Sequence, residues 1–404
     1  TAVADGLTAR ADTLTKGRGG KWDIHEVKAA TKVKPEYISD LAFQRICFER
    51  AGIPIGKTYL VYINNTYVRK GDVDMKKLMI EEDITKEVEA MMPEVEQQIP
   101  EAKKVFSWSK NLDASQIMSC PDHGKCGYVG YWLNFLEPKK RETVLRGVDP
   151  TMVAKLLEKD AVEVDGLSSG YLKSISYRTP EELWPLKIEK QAIKAELAKL
   201  KYPLHFFDYE TFSSAIPAFD GYRPYQQIPF QFSAIVLDSP DVKPRRFDFL
   251  METFEDPALK AIQALREAIG PKGSVLAWNA SFERGRTEDL AKAHHKDATF
   301  LRGIITRLYD PMQLFKKKPK RYVHPGFHDS ASIKAVMPVL VPELSYKKLN
   351  IQGGSVASAS WPELTDPKTP KERRNQLRKD MIEYCQLDVY GMVKIFEHLQ
   401  KVTR

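Results

Sequence analysis

The stretch HFFDYETF, His205 to Phe212, sets two carboxylates two residues apart at the end of an apolar run. A strand sends successive side chains to opposite faces, so Asp208 and Glu210 point the same way. Two carboxylates on one strand face repel each other unless something positive lies between them. Oxygen donors of this kind suit a hard divalent cation such as Mg²⁺. One such pair also occurs on solvated strands, so the reading depends on the residues further along the chain.

Two downstream pieces bear on it. In VLAWNASFERG, Val275 to Gly285, the first four residues read as a short buried strand. Asn279 ends it, and Ser281 or Asn279 is placed to cap a helix from Phe282 towards Ala293. Glu283 then falls in the first helical turn. The other piece, EYCQLDVYGM, Glu383 to Met392, lies in a long helical segment from about Lys371 to Lys401. Tyr384 and Asp388 are four apart and share a helix face. A carboxylate there would complete a metal cage, and the phenol one turn earlier would orient an attacking water.

These three pieces resemble the exonuclease motifs of the DnaQ-like, ribonuclease H-fold 3′–5′ exonucleases of the DEDD superfamily. Asp208 and Glu210 match its Asp-x-Glu motif, and Tyr384 and Asp388 match its Tyr-x-x-x-Asp motif. Glu283 stands behind Asn279 where the family usually has Asp, which keeps the charge and lengthens the arm by one methylene. The resemblance implies that Asp208, Glu210 and Asp388 hold Mg²⁺ or Mn²⁺. It further implies that Glu283 acts through a water, with Asn279 in support, and that Tyr384 positions the nucleophilic water.

Upstream, GLTARADTLTKGRGGKWDIHEVKAAT, Gly6 to Thr31, reads as a hairpin turning through Gly17, Gly19 and Gly20. Asp12 lies near the end of its first strand, and Glu26 and Lys28 share a face of the second. Two carboxylates with a lysine beside them suit metal-assisted hydrolysis; the alternative is an ordinary hairpin carrying exposed charges. The residues resemble the PD-(D/E)xK core of RecB-like nucleases. That implies metal binding by Asp12 and Glu26, a cationic role for Lys28, and a match of Gln44 to the glutamine on the following helix. Thr1 is no initiator, so the chain reads as beginning inside a longer protein, with this domain truncated at its N-terminus.

Together the two motif sets resemble a bacterial and archaeal family of predicted nucleases that fuses a RecB/PD-(D/E)xK domain to a DnaQ-like domain. FDGYRPYQQIPFQFS, Phe219 to Ser233, and ASIKAVMPVLVPELSYKKL, Ala331 to Leu349, look like further blocks of that family. The fold class implied is α/β, with a restriction-endonuclease-like domain over 1–135 and a helical connector over 136–200. A ribonuclease H-like mixed-sheet domain over 201–404 completes it. The connector contains helical readings at Leu136 to Leu157 and Pro180 to Leu200. Glu82 to Glu101 reads as a solvated helix pair broken at Pro93, and Phe230–Leu237 and Arg245–Leu250 read as strands.

Composition agrees with this reading. A chain of 404 residues has room for two domains, and 43% hydrophobic residues suffice for real cores. No apolar run is long enough to span a membrane, so no membrane partner is expected, and cysteine use fits an intracellular chain, read as cytoplasmic. Four cysteines make no disulfide framework. Cys120 and Cys126 flank His123, a place where related nucleases help hold an iron–sulfur cluster. Such a cluster normally takes four thiolates, so a degenerate or absent cluster is favoured, with an incomplete zinc site as the other reading. Cys47 and Cys385 read as packed thiols. A net charge of +8 is compatible with a polyanionic partner. Lys316, Lys317, Lys318, Lys320 and Arg321, followed by Tyr322 and His324, offer cations for phosphates and an aromatic for a base; a solvated loop is the plainer reading, and the run also resembles a nuclear-import signal. The expected function is metal-dependent phosphodiester hydrolysis on DNA or RNA. A non-catalytic nucleic-acid-binding component is the alternative.

Overall fold

The structure is a computed structural model that describes residues 1–107, 184–240, 242–316, 318–327 and 329–404. Cys120, His123, Cys126, Lys317 and the helical reading at 136–157 lie outside the described residues. The chain divides into two units, one comprising Thr1–Asn111 with Ser213–Gln227, the other Leu112–Phe212 with Ile228–Arg404. Both are mixed α/β. No helix among the described residues is long and apolar enough to cross a membrane.

In the first unit, strands β1 (Ala2–Ala4) and β2 (Leu7–Ala9) pair antiparallel. A four-stranded sheet comes next, in the order β3 (Thr13–Lys16), β4 (Trp22–Val27), β5 (Ile55–Ile63) and β6 (Met79–Asp83). The expected hairpin is β3–β4, and its turn holds Gly19 at φ 67° and Gly20 at φ 75°, left-handed values that favour a residue without a Cβ. β4 and β5 run parallel, which requires a crossover, supplied by helix α1 (Pro35–Arg50). Ile24, Leu41, Ile46, Phe48 and Leu60 form the core beneath α1. Against expectation, the acidic segment is not a helix pair broken at Pro93: Met79–Asp83 is the edge strand, and one helix, α3 (Thr85–Phe106), runs through Pro93 and Pro100. Val88, Val95 and Ile99 bury one stripe of that helix in the same core, and this packing outweighs the two lost amide donors. A single turn, α2 (Met75–Leu78), precedes β6. The segment Ser213–Gln227 is held by Arg69, whose guanidinium donates to Pro217 O at 3.0 Å and Ala218 O at 2.6 Å.

The second unit begins, among the described residues, with β7 (Lys187–Ile188) and helix α4 (Lys190–Leu197) in place of the expected longer connector helix. Its main sheet is built from β8 (Leu204–Phe212), β9 (Ile228–Leu237), β10 (Arg245–Leu250), β11 (Ser274–Leu276) and β12 (Leu308–Tyr309), in the order β10-β9-β8-β11-β12. β9 is antiparallel to both neighbours, whereas β8, β11 and β12 are parallel. β8 is central, so helices cover both of its faces and it alternates between two partners rather than between core and water. Phe207 and Tyr209 enter a core with helices α5 (Ala258–Ala268), α6 (Ser281–Ala293) and α7 (Ala298–Thr306). Phe206 and Phe212 take the opposite face, at ring-centroid distances of 5.6 Å from Phe396 and 5.2 Å from Trp361. The short helix α8 (Gln313–Lys316) leads to β13 (Tyr322–Val323), which pairs with β7. Helices α9 (Ile333–Leu340), α10 (Gly354–Thr365) and α11 (Lys371–Val402) complete the unit, and Phe396 and Trp361 belong to α11 and α10.

Candidate metal centre

Strand alternation puts Asp208 and Glu210 on the face of β8 that carries Phe206 and Phe212, the face covered by α11. From α11, Tyr384, Cys385 and Asp388 turn inward and are buried. Glu283 arrives from the first turn of α6 and is 2% exposed, against 6% for Glu210 and 7% for Asp388. Asp208 keeps partial access to solvent. Its carboxyl shares a hydrogen bond with that of Glu283. Ligand atoms of Asp208, Glu210 and Cys385 lie within 4.8 Å of one another, so the third member of this tightest group is a thiol rather than an Asp388 oxygen. The Cys385 Sγ also donates to Asp208 O at 3.7 Å, which fits a packed thiol at the wall of the centre.

Four acids gathered in so little water resist ionisation. Burial, then the charges of Asp388, Glu283 and Glu210, raise Asp208 well above the usual carboxylate range. Glu210 is pushed up to about 8 by burial and then by Asp388, and Glu283 to about 8 chiefly by burial. Asp388 rises less, to about 6, because hydrogen bonds from Tyr346 and Tyr384 and the charge of Lys334 offset its burial. The Tyr346 hydroxyl donates to Asp388 Oδ1. Burial, followed by the Asp388 charge, pushes both phenols upward, so Tyr346 and Tyr384 stay protonated donors at neutral pH.

The donor set fits a divalent cation. Its oxygens are carboxylates, the ligands that hard ions such as Mg²⁺ and Mn²⁺ prefer. Glu283 Oε2 is buried without a hydrogen-bond partner. A buried acceptor in that state costs free energy unless a cation or a water satisfies it.

Four features of this site carried no motif signal. Lys334 and Tyr346 lie in the block Ala331 to Leu349, but no spacing ties either to Asp388. Asp310 comes directly after β12, accepts the Asn279 N–H at 3.0 Å, and adds its charge to those around Glu283. Gly354 opens α10, and a Cβ there would lie 3.1 Å from Glu210 Oε2. Asn279 acts through its backbone, at φ 64°, where the chain turns from β11 into α6. The expected side-chain cap is absent: Ala280 is the N-cap, and Ser281 Oγ instead donates to Asn279 Oδ1 at 3.3 Å. The Asp310 carboxylate orders this turn in its place.

Comparison with known proteins places this half of the chain in context. A family model described as Domain of unknown function (DUF2779) matches residues 205–332, a span that holds Asp208, Glu210, Glu283 and Asp310. An uncharacterized protein of Ureaplasma parvum is 26% identical over 308 residues, covering 71% of this chain and 44% of its own length. An uncharacterized protein of Mycoplasma pneumoniae is 28% identical over 223 residues, covering 50% of this chain and 33% of its own. A Mycoplasma genitalium counterpart is 26% identical over 223 residues, again 33% of its length. The chain therefore spans less than half the length of these relatives. No solved structure matches.

In the first unit, Asp12 precedes β3 and accepts the Val27 N–H at 2.9 Å. Glu26 and Gln44 are buried, and Glu26 Oε2 and Gln44 Oε1 have no hydrogen-bond partner. Lys28 Nζ donates to Glu26 at 2.8 Å and to Asp40 at 2.6 Å. Burial pulls its pKa down, but these two carboxylates outweigh burial and hold the ammonium above its usual value. Asp40 is a further residue that the motif did not single out.

The basic run is divided. Lys320 pairs with Asp329, and Arg321 with Glu189 at 2.5 Å. Lys316 and Lys318 are exposed. Lys318 lines a cavity of about 500 Å³ with Tyr309, Asp310, Gln313 and Arg321. The Tyr322 ring, expected to stack a base, is instead 3% exposed and packs on Phe315 and Phe327, with its hydroxyl 3.0 Å from His398 Nε2. An aromatic next to five basic residues reads as a nucleic-acid platform in sequence; the β13–β7 pairing turns it inward.

Proposed function

We propose that the unit built around β8 is a metal-dependent nuclease of the DEDD, ribonuclease H-like type, acting on DNA or RNA as a 3′–5′ exonuclease. The observation that carries this reading is the pairing of Asp208 and Glu210 on the central strand, with Glu283 from α6 hydrogen-bonded to Asp208 and Asp388 from α11 near enough for its charge to act on both strand carboxylates. A central strand flanked by one antiparallel and one parallel neighbour supports the same architecture. Asp208, Glu210 and Asp388 would hold Mg²⁺ or Mn²⁺, with Glu283 acting through a water. When bound, such ions lower the pKa of water and stabilise the attacking and leaving oxygens of a phosphodiester. Tyr384, kept neutral by its surroundings, hydrogen-bonds Asp388 and has a free lone pair to accept a proton of the attacking water, which orients it. Tyr346 also donates to the Asp388 carboxylate and helps hold it in place. Single- and double-stranded DNA and RNA, each labelled at either end, are the test substrates with Mg²⁺ or Mn²⁺. Asp208→Ala should keep its circular dichroism spectrum and lose all cleavage that depends on this unit; a variant that still digests from the 3′ end at the parent rate sinks the assignment.

A second hydrolytic centre in the first unit, of the RecB-like PD-(D/E)xK type, is favoured by one specific observation. Glu26 holds the Lys28 ammonium with one oxygen and leaves the other buried without a partner, and the Gln44 side-chain oxygen is likewise buried and unpartnered. Asp12 and Glu26 would be the metal ligands there, and Lys28 the cationic partner.

A further inference from the structure

Lys334 is exposed, yet its position is fixed. It lies in the first turn of α9, and its ammonium donates to Gln352 O at 2.7 Å. The Nζ also sits 5.4 Å from the Tyr346 ring centroid and 5.5 Å from that of Tyr384. Cation–π contact with two rings, together with a backbone acceptor, holds a side chain that would otherwise sample many rotamers. Its charge reaches Glu210 and Asp388, but it forms no ion pair with a carboxylate among the described residues. A lysine serving only as counter-ion would close on one of those carboxylates. This one stands off the carboxylates, its ammonium bonded to the Gln352 carbonyl.

The chain opposite reinforces the charge. A Cβ on Gly353 would lie 3.5 Å from Lys334 Nζ, and one on Gly354 would lie 3.1 Å from Glu210 Oε2. Lys334, the Gly353–Gly354 corner and the metal-facing carboxylate thus border one small space. α10 starts at that corner with no side-chain cap, so its first N–H groups add their partial positive charge. Side chains at 353 and 354 would fill the space; glycine leaves it open.

We propose that Lys334 is a substrate-contacting residue whose ammonium holds a non-bridging oxygen of a nucleic-acid phosphate beside the carboxylate centre. The inference rests on the reading of that centre as one that acts on nucleic acid. Acids alone would repel the polyanion they are to cut, and a fixed cation at their edge lets the phosphate approach.

The test uses the full chain, a labelled single-stranded oligonucleotide, and Ca²⁺ in place of Mg²⁺ so that binding is read without turnover. Lys334→Met should weaken oligonucleotide binding about ten-fold, the scale of one charge-assisted hydrogen bond. It should also shrink the salt dependence by about one phosphate contact, and Lys334→Arg should recover part of the loss. Calorimetry with Mn²⁺ alone should show affinity unchanged or tighter in Lys334→Met, since a cation has left the metal's surroundings. Parent-like oligonucleotide affinity in Lys334→Met, or a parallel loss of Mn²⁺ binding, overturns the proposal. The wild-type chain separates the two readings. Binding that needs Lys334 without any cleavage strikes the nuclease assignment alone; cleavage that ignores Lys334→Met strikes this inference alone; no oligonucleotide binding strikes both.

Discussion

Replacing an acid at the centre should make the metal-free protein more stable. Glu210 has a folded pKa of about 8 against 4.5 for the free side chain. The folded state therefore holds a proton that the unfolded state releases, and stability falls as pH rises from the unfolded value through the folded one. At about pH 7 the group costs roughly 3 kcal/mol, taking about 1.4 kcal/mol for each pH increment above the unfolded pKa. Asp208, Glu283 and Asp388 share the same repulsion, so these costs do not add, and Glu210→Gln should return about 1–3 kcal/mol near neutral pH. Glutamine keeps the shape of the side chain beside Gly354 and removes the charge. For a unit of this size the gain corresponds to a rise in Tm of roughly 2–10 °C. Thermal unfolding in EDTA at several pH values is the assay. The parent should lose stability from mildly acidic pH up to about pH 8, and Glu210→Gln should lose less. A variant that melts below the parent at about pH 8 in EDTA, with an unchanged pH slope, would refute the electrostatic account and leave Glu210 as an ordinary packed residue.

Divalent cations should reverse the same penalty. Mn²⁺ should raise the parent's Tm, and more at about pH 8 than at about pH 6, because the ligands must shed protons to bind; differential scanning calorimetry of parent and Asp208→Ala reads this, and an equal response in both places the ion elsewhere. Tyr384→Phe should lower the cleavage rate by one to a few orders of magnitude, the scale of a positioned catalytic group, with oligonucleotide affinity little changed; an unaltered rate assigns the hydroxyl to holding Asp388. Lys28→Ala should lose a nuclease activity that Asp208→Ala retains. Abolition of all cleavage by Asp208→Ala would reduce the first unit to a binding role.

Which parts of this arrangement a sequence can reveal depends on the range over which its cause acts. Asp208 and Glu210 share a face because strand alternation is local, and Phe207 and Tyr209 duly enter the opposite core. Tyr384 and Asp388 share a helix face for the same kind of reason. Lys334 and Tyr346 reach the centre from elements related to it only through tertiary packing, so no period announces them. Asp40 is likewise joined to Lys28 only once α1 has folded against β4. The unbroken α3 and the inward Tyr322 are cases where packing overrode a local signal, a proline in one and flanking lysines in the other. Asn279 was legible as the end of a strand, but the carboxylate that orders its turn lies thirty-one residues away on Asp310.

The segment Ser213–Gln227 leaves the tip of β8 and returns into β9, yet it folds with the first unit. The two halves are thus interleaved along the polypeptide rather than strung end to end. A fragment beginning near residue 201 would carry the acidic strand but leave this excursion without the Arg69 that binds its carbonyls. A fragment ending before it would expose the complementary gap. Neither half can be cut out of the gene, or exchanged for another, at a single junction.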